Sequence, residues 1–85
     1  MPATFFIEDV FDIAGRGTII TGTVQSGSIV PGMKGILNNG KETSVVAIES
    51  FQKVLNHAEQ GQNCGLLLKG VKKEDITTKM PITFE

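Results

Sequence analysis

Short runs rich in Ile, Val, Thr and Phe alternate with glycine-marked turns along the whole chain. The ten glycines recur at the short intervals that all-β sandwiches and barrels use. Thr4 to Asp12 reads as a first strand, with Phe5, Ile7, Val10 and Phe11 as its apolar members. The alternation slips at Glu8-Asp9, which predicts a bulge or a change of face there. Gly15-Arg16-Gly17 is a turn signal. Thr18 to Ser26 is the clearest strand, because nearly every residue is β-branched. It puts Ile20, Gly22 and Val24 on one face and Ile19, Thr21 and Thr23 on the other. A glycine inside such a strand marks a bend or a close backbone approach.

Beyond it, Gly27 and Pro31-Gly32 are turns around the short segment Ser28 to Val30. Lys34 to Leu37 is a short strand, and Asn38-Asn39-Gly40 carries a hairpin signal. Lys41 to Phe51 is the returning strand, with Val46 and Ile48 on one face and Val45, Ala47 and Glu49 on the other. Gln52 to Gln60 is expected as a loop with one helical turn, since Val54, Leu55 and Ala58 form a weak stripe that Asn56 and Gly61 limit. Asn63 to Lys69 is a buried strand around Leu66, Leu67 and Leu68. Lys72 to Ile76 is a single turn. Met80 to Phe84 is a last strand that Pro81 confines to an edge or a strand start. With no repeat, linker or low-complexity segment, residues 1–85 read as one all-β domain.

Composition narrows the function. A chain of 85 residues allows one small core, burying roughly 60% of the unfolded-chain surface. Eight Lys and Arg against nine Asp and Glu give a formal net charge of −1, without the basic excess or stripe usual in nucleic-acid binders. The one dense basic spot, Lys69 with Lys72 and Lys73, runs straight into Glu74 and Asp75 and reads as a solvated turn. A single cysteine, Cys64, makes no internal disulfide, and with a single histidine, His57, it makes no zinc set. There is no apolar run of membrane-span length and no signal-peptide pattern at the start. The expected location is cytoplasmic, away from membranes.

Catalytic chemistry is hard to assemble. No phosphate-cradling loop is present: Gly15-Arg16-Gly17-Thr18 is too short and opens a strand, not a helix. Glu8 and Asp9 are neighbours on a strand and point to opposite faces unless a bulge turns them, so they make no ready acid–base pair. His57 sits in a polar loop as a surface residue. Cys64 adjoins an apolar run and reads as a buried structural thiol. The expectation is a non-enzyme with no cofactor and no metal.

Three ordered blocks carry a resemblance. They are Ile7-Glu8-Asp9-Val10-Phe11 with Gly15-Arg16-Gly17-Thr18 and Thr21-Gly22; Ile48-Glu49-Ser50-Phe51-Gln52-Lys53; and Gly61-Gln62-Asn63-Cys64-Gly65 running on to Ile76. Together they resemble the second domain of elongation factor Tu. The resemblance implies a small closed antiparallel β-barrel of the translation-factor type. Closure also removes the exposed edges a small sheet would have. It further implies a module that packs against a GTPase domain, helps hold the aminoacylated 3′ end of transfer RNA and touches ribosomal RNA. By the same resemblance, the pocket for the esterified amino acid would use Glu8, Asp9, Phe11 and Asn63, with Thr21 close by. The terminal adenosine would be received near Glu49 and Phe51.

The sequence departs from the family at several points. Gln52 stands where the family has Arg after E-x-F, and Thr23 where it often has Arg after the Thr-Gly pair. Lys79 replaces a glycine before the last strand, and the segment from Lys34 to Lys41 is short. Neither the GTPase domain nor the third domain lies within these residues. The reading is therefore a non-catalytic binding module of translation elongation. The alternative is a protein-interaction module that reuses the barrel surface without RNA.

Overall fold

The computed structural model describes residues 2–51 and 53–85. Its strands are β1 (Ala3–Ile13), β2 (Gly17–Ser26), β3 (Ser28–Ile29), β4 (Lys34–Ile36), β5 (Glu42–Ser50), β6 (Lys53–Leu55), β7 (Ala58–Glu59), β8 (Asn63–Leu68) and β9 (Met80–Phe84). A single 3₁₀ turn covers Lys73–Asp75. All pairings are antiparallel. The strands run β4-β9-β1-β2-β8-β5, and a further β4–β5 pairing joins the two ends, so six strands close a barrel. Strand β6 pairs with the far half of β5, and β3 with β7 forms a separate two-stranded ribbon. The expected all-β closed antiparallel barrel is the observed fold.

Alternation builds the core. Phe5 and Ile7 of β1, Ile20 and Val24 of β2, Leu66 and Leu68 of β8, and Ile82 and Phe84 of β9 point inward and are buried. Gly35 of β4 completes the packing by having no side chain. A Cβ there would lie 2.8 Å from Cδ1 of the Phe84 ring. Two buried hydroxyls are satisfied by carbonyls of the loop after β8. Thr18 donates to Val71 O at 2.9 Å and Thr43 to Lys69 O at 2.8 Å.

Two bulges set the outer surface. On β1, Ile7 faces Gly22 and Asp9 faces Thr21, leaving Glu8 as the extra residue, where the alternation slips in the sequence. On β5, Val45 faces Leu68 and Ala47 faces Leu67, so Val46 is extra. This second bulge corrects the expected faces of β5. Val45 and Ile48 are the buried pair, Ala47 and Glu49 face outward, and Val46 is 49% exposed. The extra residue inverts the alternation halfway along the strand. Leu67, expected in the buried run, is half-buried on the outer face.

The stretch from Gln52 to Gln60 holds two short strands, β6 and β7, in place of the expected helical turn. Backbone pairing to β5 and β3 satisfies these residues, and their apolar spacing is too weak to support a helix. Gln52 itself lies outside the described residues. Pro81 sits where sequence predicts: β4 reaches β9 only at Phe84, so no ladder to β4 forms beside the proline. Lys79, in the family's glycine position, has φ +63°, a conformation glycine adopts more readily.

Candidate functional site

Strand register brings most of the predicted residues together. Thr21 on β2 lies opposite Asp9 on β1 and opposite Gly65 on β8, and Gly65 lies opposite Glu49 on β5. Asp9, Thr21, Gly65 and Glu49 thus form one row across the outside of four strands. Gly65 is the low point of the row. Lacking a side chain, it leaves a trough walled by Thr21 and Glu49.

The neighbouring outward rows differ in character. Toward the β1–β2 turn lie Phe11, Ile19, Leu67 and Ala47, again in register across the four strands. This row is an apolar shelf. Toward the other end lies Asn63 opposite Thr23, whose hydroxyl accepts a hydrogen bond from Asn63 Nδ2 at 3.1 Å. Rows on one face are about 7 Å apart. An open cavity of about 310 Å³ occupies this region, lined by Ile19, Thr21, Glu49, Ser50, Phe51, Asn63, Cys64 and Gly65.

Asp9, Thr21 and Glu49 stand on the row, and Asn63 beside it. Phe11 is 48% exposed on the shelf and is no core aromatic. Phe51 stands at the rim, 95% exposed, with φ +51°. Backbone strain of this kind concentrates at binding and switch positions. Glu8 is set apart. The bulge keeps it at the surface beside Asp9, so the two do not take opposite faces of a regular strand. The Glu8 carboxylate takes an ion pair from Lys79 Nζ at 2.7 Å. The Lys79 ammonium is raised above its ordinary pKa, first by the hydrogen bond to Glu8 and then by its charge, with a further contribution from Asp9.

The sequence reading missed four contributors: Ile19, Leu67, Gly65 and Arg16. The first three emerge only when the strands are aligned in register. Arg16, in the β1–β2 turn, sends its guanidinium to Glu49. Nη1 donates to Oε1 at 3.3 Å, and Nη2 makes a closer contact with Oε2. The hydrogen bond from Arg16 holds the Glu49 carboxyl below the usual carboxylate range. The partners are 33 residues apart, so no local motif announces the pair.

Two groups with chemical potential lie near or beyond the row. Cys64 beneath it is 5% exposed, and burial pushes its thiol up to about 11, away from the thiolate. His57 is exposed at 4.0 Å from Glu59, outside the row. Among the described residues, no group of three or more His, Cys, Asp or Glu side chains is placed to hold a metal ion. No helix among them is long and apolar enough to cross a membrane.

The family model for elongation factor Tu domain 2 matches residues 17–83. The chain belongs to the elongation factor Tu domain 2 family. The match takes in β2 to β8 and all of β9 but Phe84, and it includes Thr21, Glu49, Phe51, Asn63 and Gly65. Glu8, Asp9 and Phe11 lie ahead of it on β1, joined to the matched region by the β1–β2 register. Membership makes this chain a translation-factor-like module, and the domain 2 barrel is a non-catalytic part of translation GTPases.

Proposed function

We propose that this domain is a binding module for the aminoacylated 3′ end of a transfer RNA, received on the outer row of the barrel. The observation that carries the reading is the register of Asp9, Thr21, Gly65 and Glu49 beside the shelf of Phe11, Ile19 and Leu67. A terminal base lies on the apolar shelf, as single-stranded bases do on apolar and aromatic surfaces. Glu49 accepts from the ribose hydroxyls in the trough. Asp9 and Asn63 face the esterified amino acid, Asp9 by pairing with its ammonium group. Phe51 screens the rim.

Affinity of the domain alone is low, for two reasons. A net charge of −1 gives little counterion release. The trough is open on one side and cannot enclose its ligand; a GTPase domain would supply the second wall. Titration with puromycin, a stable aminoacyl-adenosine analogue, tests this. The expected result is saturable binding in the high micromolar range or weaker. Sub-micromolar binding, or none at millimolar ligand, contradicts the reading.

One observation favours a second reading, a protein-interaction surface. Phe51 and Val54, on the β5–β6 hairpin, are 95% and 75% exposed, and aromatic anchors of this kind fill partner pockets. A GTPase domain is the partner this reading names, and both uses of the hairpin are compatible.

A further inference from the structure

We propose that Arg16 is an autoinhibitory latch on this site: its side chain lies across the apolar shelf and occupies Glu49 until a ligand displaces it. The inference rests on the reading of the outer row as a nucleoside-binding surface.

Strand β8 lies between β2 and β5. A side chain that leaves the turn before β2 and ends on Glu49 of β5 must pass over β8. The outward residue of β8 on that path is Leu67, flanked by Ile19 on β2. The turn itself sits against this shelf: a Cβ on Gly17 would be 3.6 Å from Leu67 Cδ1. The arginine side chain therefore runs from the turn to Glu49 on the Leu67 side of β8, the side on which a base would lie. Its head group meets both oxygens of the carboxylate that would accept from the ribose.

The latch is also weak enough to open. Arg16 and Glu49 side chains are 44% and 27% exposed, and an exposed ion pair shifts an equilibrium by a few-fold at most. Nothing lies within 4 Å of where a Cβ on Gly15 would stand, so the turn has open space beside it. A bound ligand replaces the guanidinium with hydroxyl donors at Glu49 and frees Arg16 toward solvent or toward a phosphate of the RNA backbone.

A competing ion pair has a signature that a structural one lacks. Salt screens the latch, so an uncharged nucleoside should bind more tightly as ionic strength rises. Adenosine is uncharged at neutral pH and serves as the probe. Its affinity is followed by amide chemical shifts at low and high sodium chloride for the wild-type domain, Arg16→Ala and Arg16→Lys. Arg16→Ala should bind about two- to fivefold more tightly than wild type at low salt, and the salt-driven gain should vanish. Arg16→Lys, which keeps the charge without the two-pronged geometry, should fall between them. Equal or weaker binding by Arg16→Ala, with shifts still on the row, overturns the latch alone. Shifts absent from the row in all three proteins overturn the binding-site reading and the latch with it.

Discussion

The Cα of Gly22 lies against the backbone of Phe6. A methyl group on Gly22 would enter the van der Waals envelope of the Phe6 carbonyl oxygen, with the carbonyl carbon 2.9 Å and the Glu8 amide nitrogen 3.2 Å away. The bulge at Glu8 brings β1 this close, and glycine is what the contact requires. Strand propensity alone predicts that Gly22→Val stabilises the fold. The contact predicts the opposite, a loss of about 1–3 kcal/mol or more because backbone must move. Thermal denaturation should show Gly22→Ala and Gly22→Val melting well below wild type. An unchanged or raised Tm would remove the close approach from the account.

Gly65 makes the converse prediction. A Cβ there meets only the Ile19 methyl Cγ2 at 3.3 Å, with backbone oxygens at 3.8 Å. A single methyl asks Ile19 to yield by only a few tenths of an ångström and meets no backbone closer than 3.8 Å, so Gly65→Ala should cost less stability than Gly22→Ala. It should also narrow the trough between Thr21 and Glu49 and weaken puromycin binding. Unchanged binding in a folded Gly65→Ala domain would place the ligand elsewhere.

These two glycines mark how far the sequence could be read. The faces of β2 were legible because every residue from Thr18 to Val24 except Gly22 is β-branched, which marks one continuous strand. The bulge at Glu8 was legible because two carboxylates break an apolar alternation. The bulge at Val46 was not: Val45-Val46-Ala47-Ile48 is apolar throughout, and nothing local says which residue is extra. The trough at Gly65 was hidden for a different reason. It exists only as a relation among four strands, and register is not written in any one of them. Arg16 and Glu49 are the clearest case, since neither suggests the other until the barrel closes.

Cys64 carries a pH prediction. Burial raises its thiol from an ordinary value near 9 to about 11. Between those values the unfolded chain releases the proton while the folded chain keeps it. Stability is therefore fully present below about pH 9 and falls as pH rises toward 11, by on the order of 2 kcal/mol. Urea melts across this range should show the fall, and Cys64→Ala should flatten the part due to the thiol. A thiol reagent should likewise react slowly in native buffer and quickly in denaturant. Equal rates would put Cys64 on the surface.

Asp75 gives the opposite dependence. Its carboxyl is held below the usual range, first by the Lys72 backbone N–H, then by Lys41, with a smaller contribution from Asn39. The depressed value means that its stabilisation is present at neutral pH and is lost as pH falls through the carboxylate range. Asp75→Asn should lower the Tm slightly at pH 7, and the gap to wild type should close in acid. A gap that persists unchanged in acid would show that the charge on Asp75 contributes nothing.

On the proposed function, the outer row across β1, β2, β8 and β5 is the ligand surface. Amide chemical-shift mapping of the whole domain with puromycin tests it most directly. The barrel offers a fair competitor in the larger groove of about 510 Å³ on β4 and β9, lined by residues such as Ile36, Asp75, Pro81 and Thr83. Shifts should cluster at Asp9, Ile19, Thr21, Glu49, Asn63 and Gly65 and leave that groove silent. Shifts centred on Ile36, Asp75 and Thr83, with the row unmoved, would contradict it.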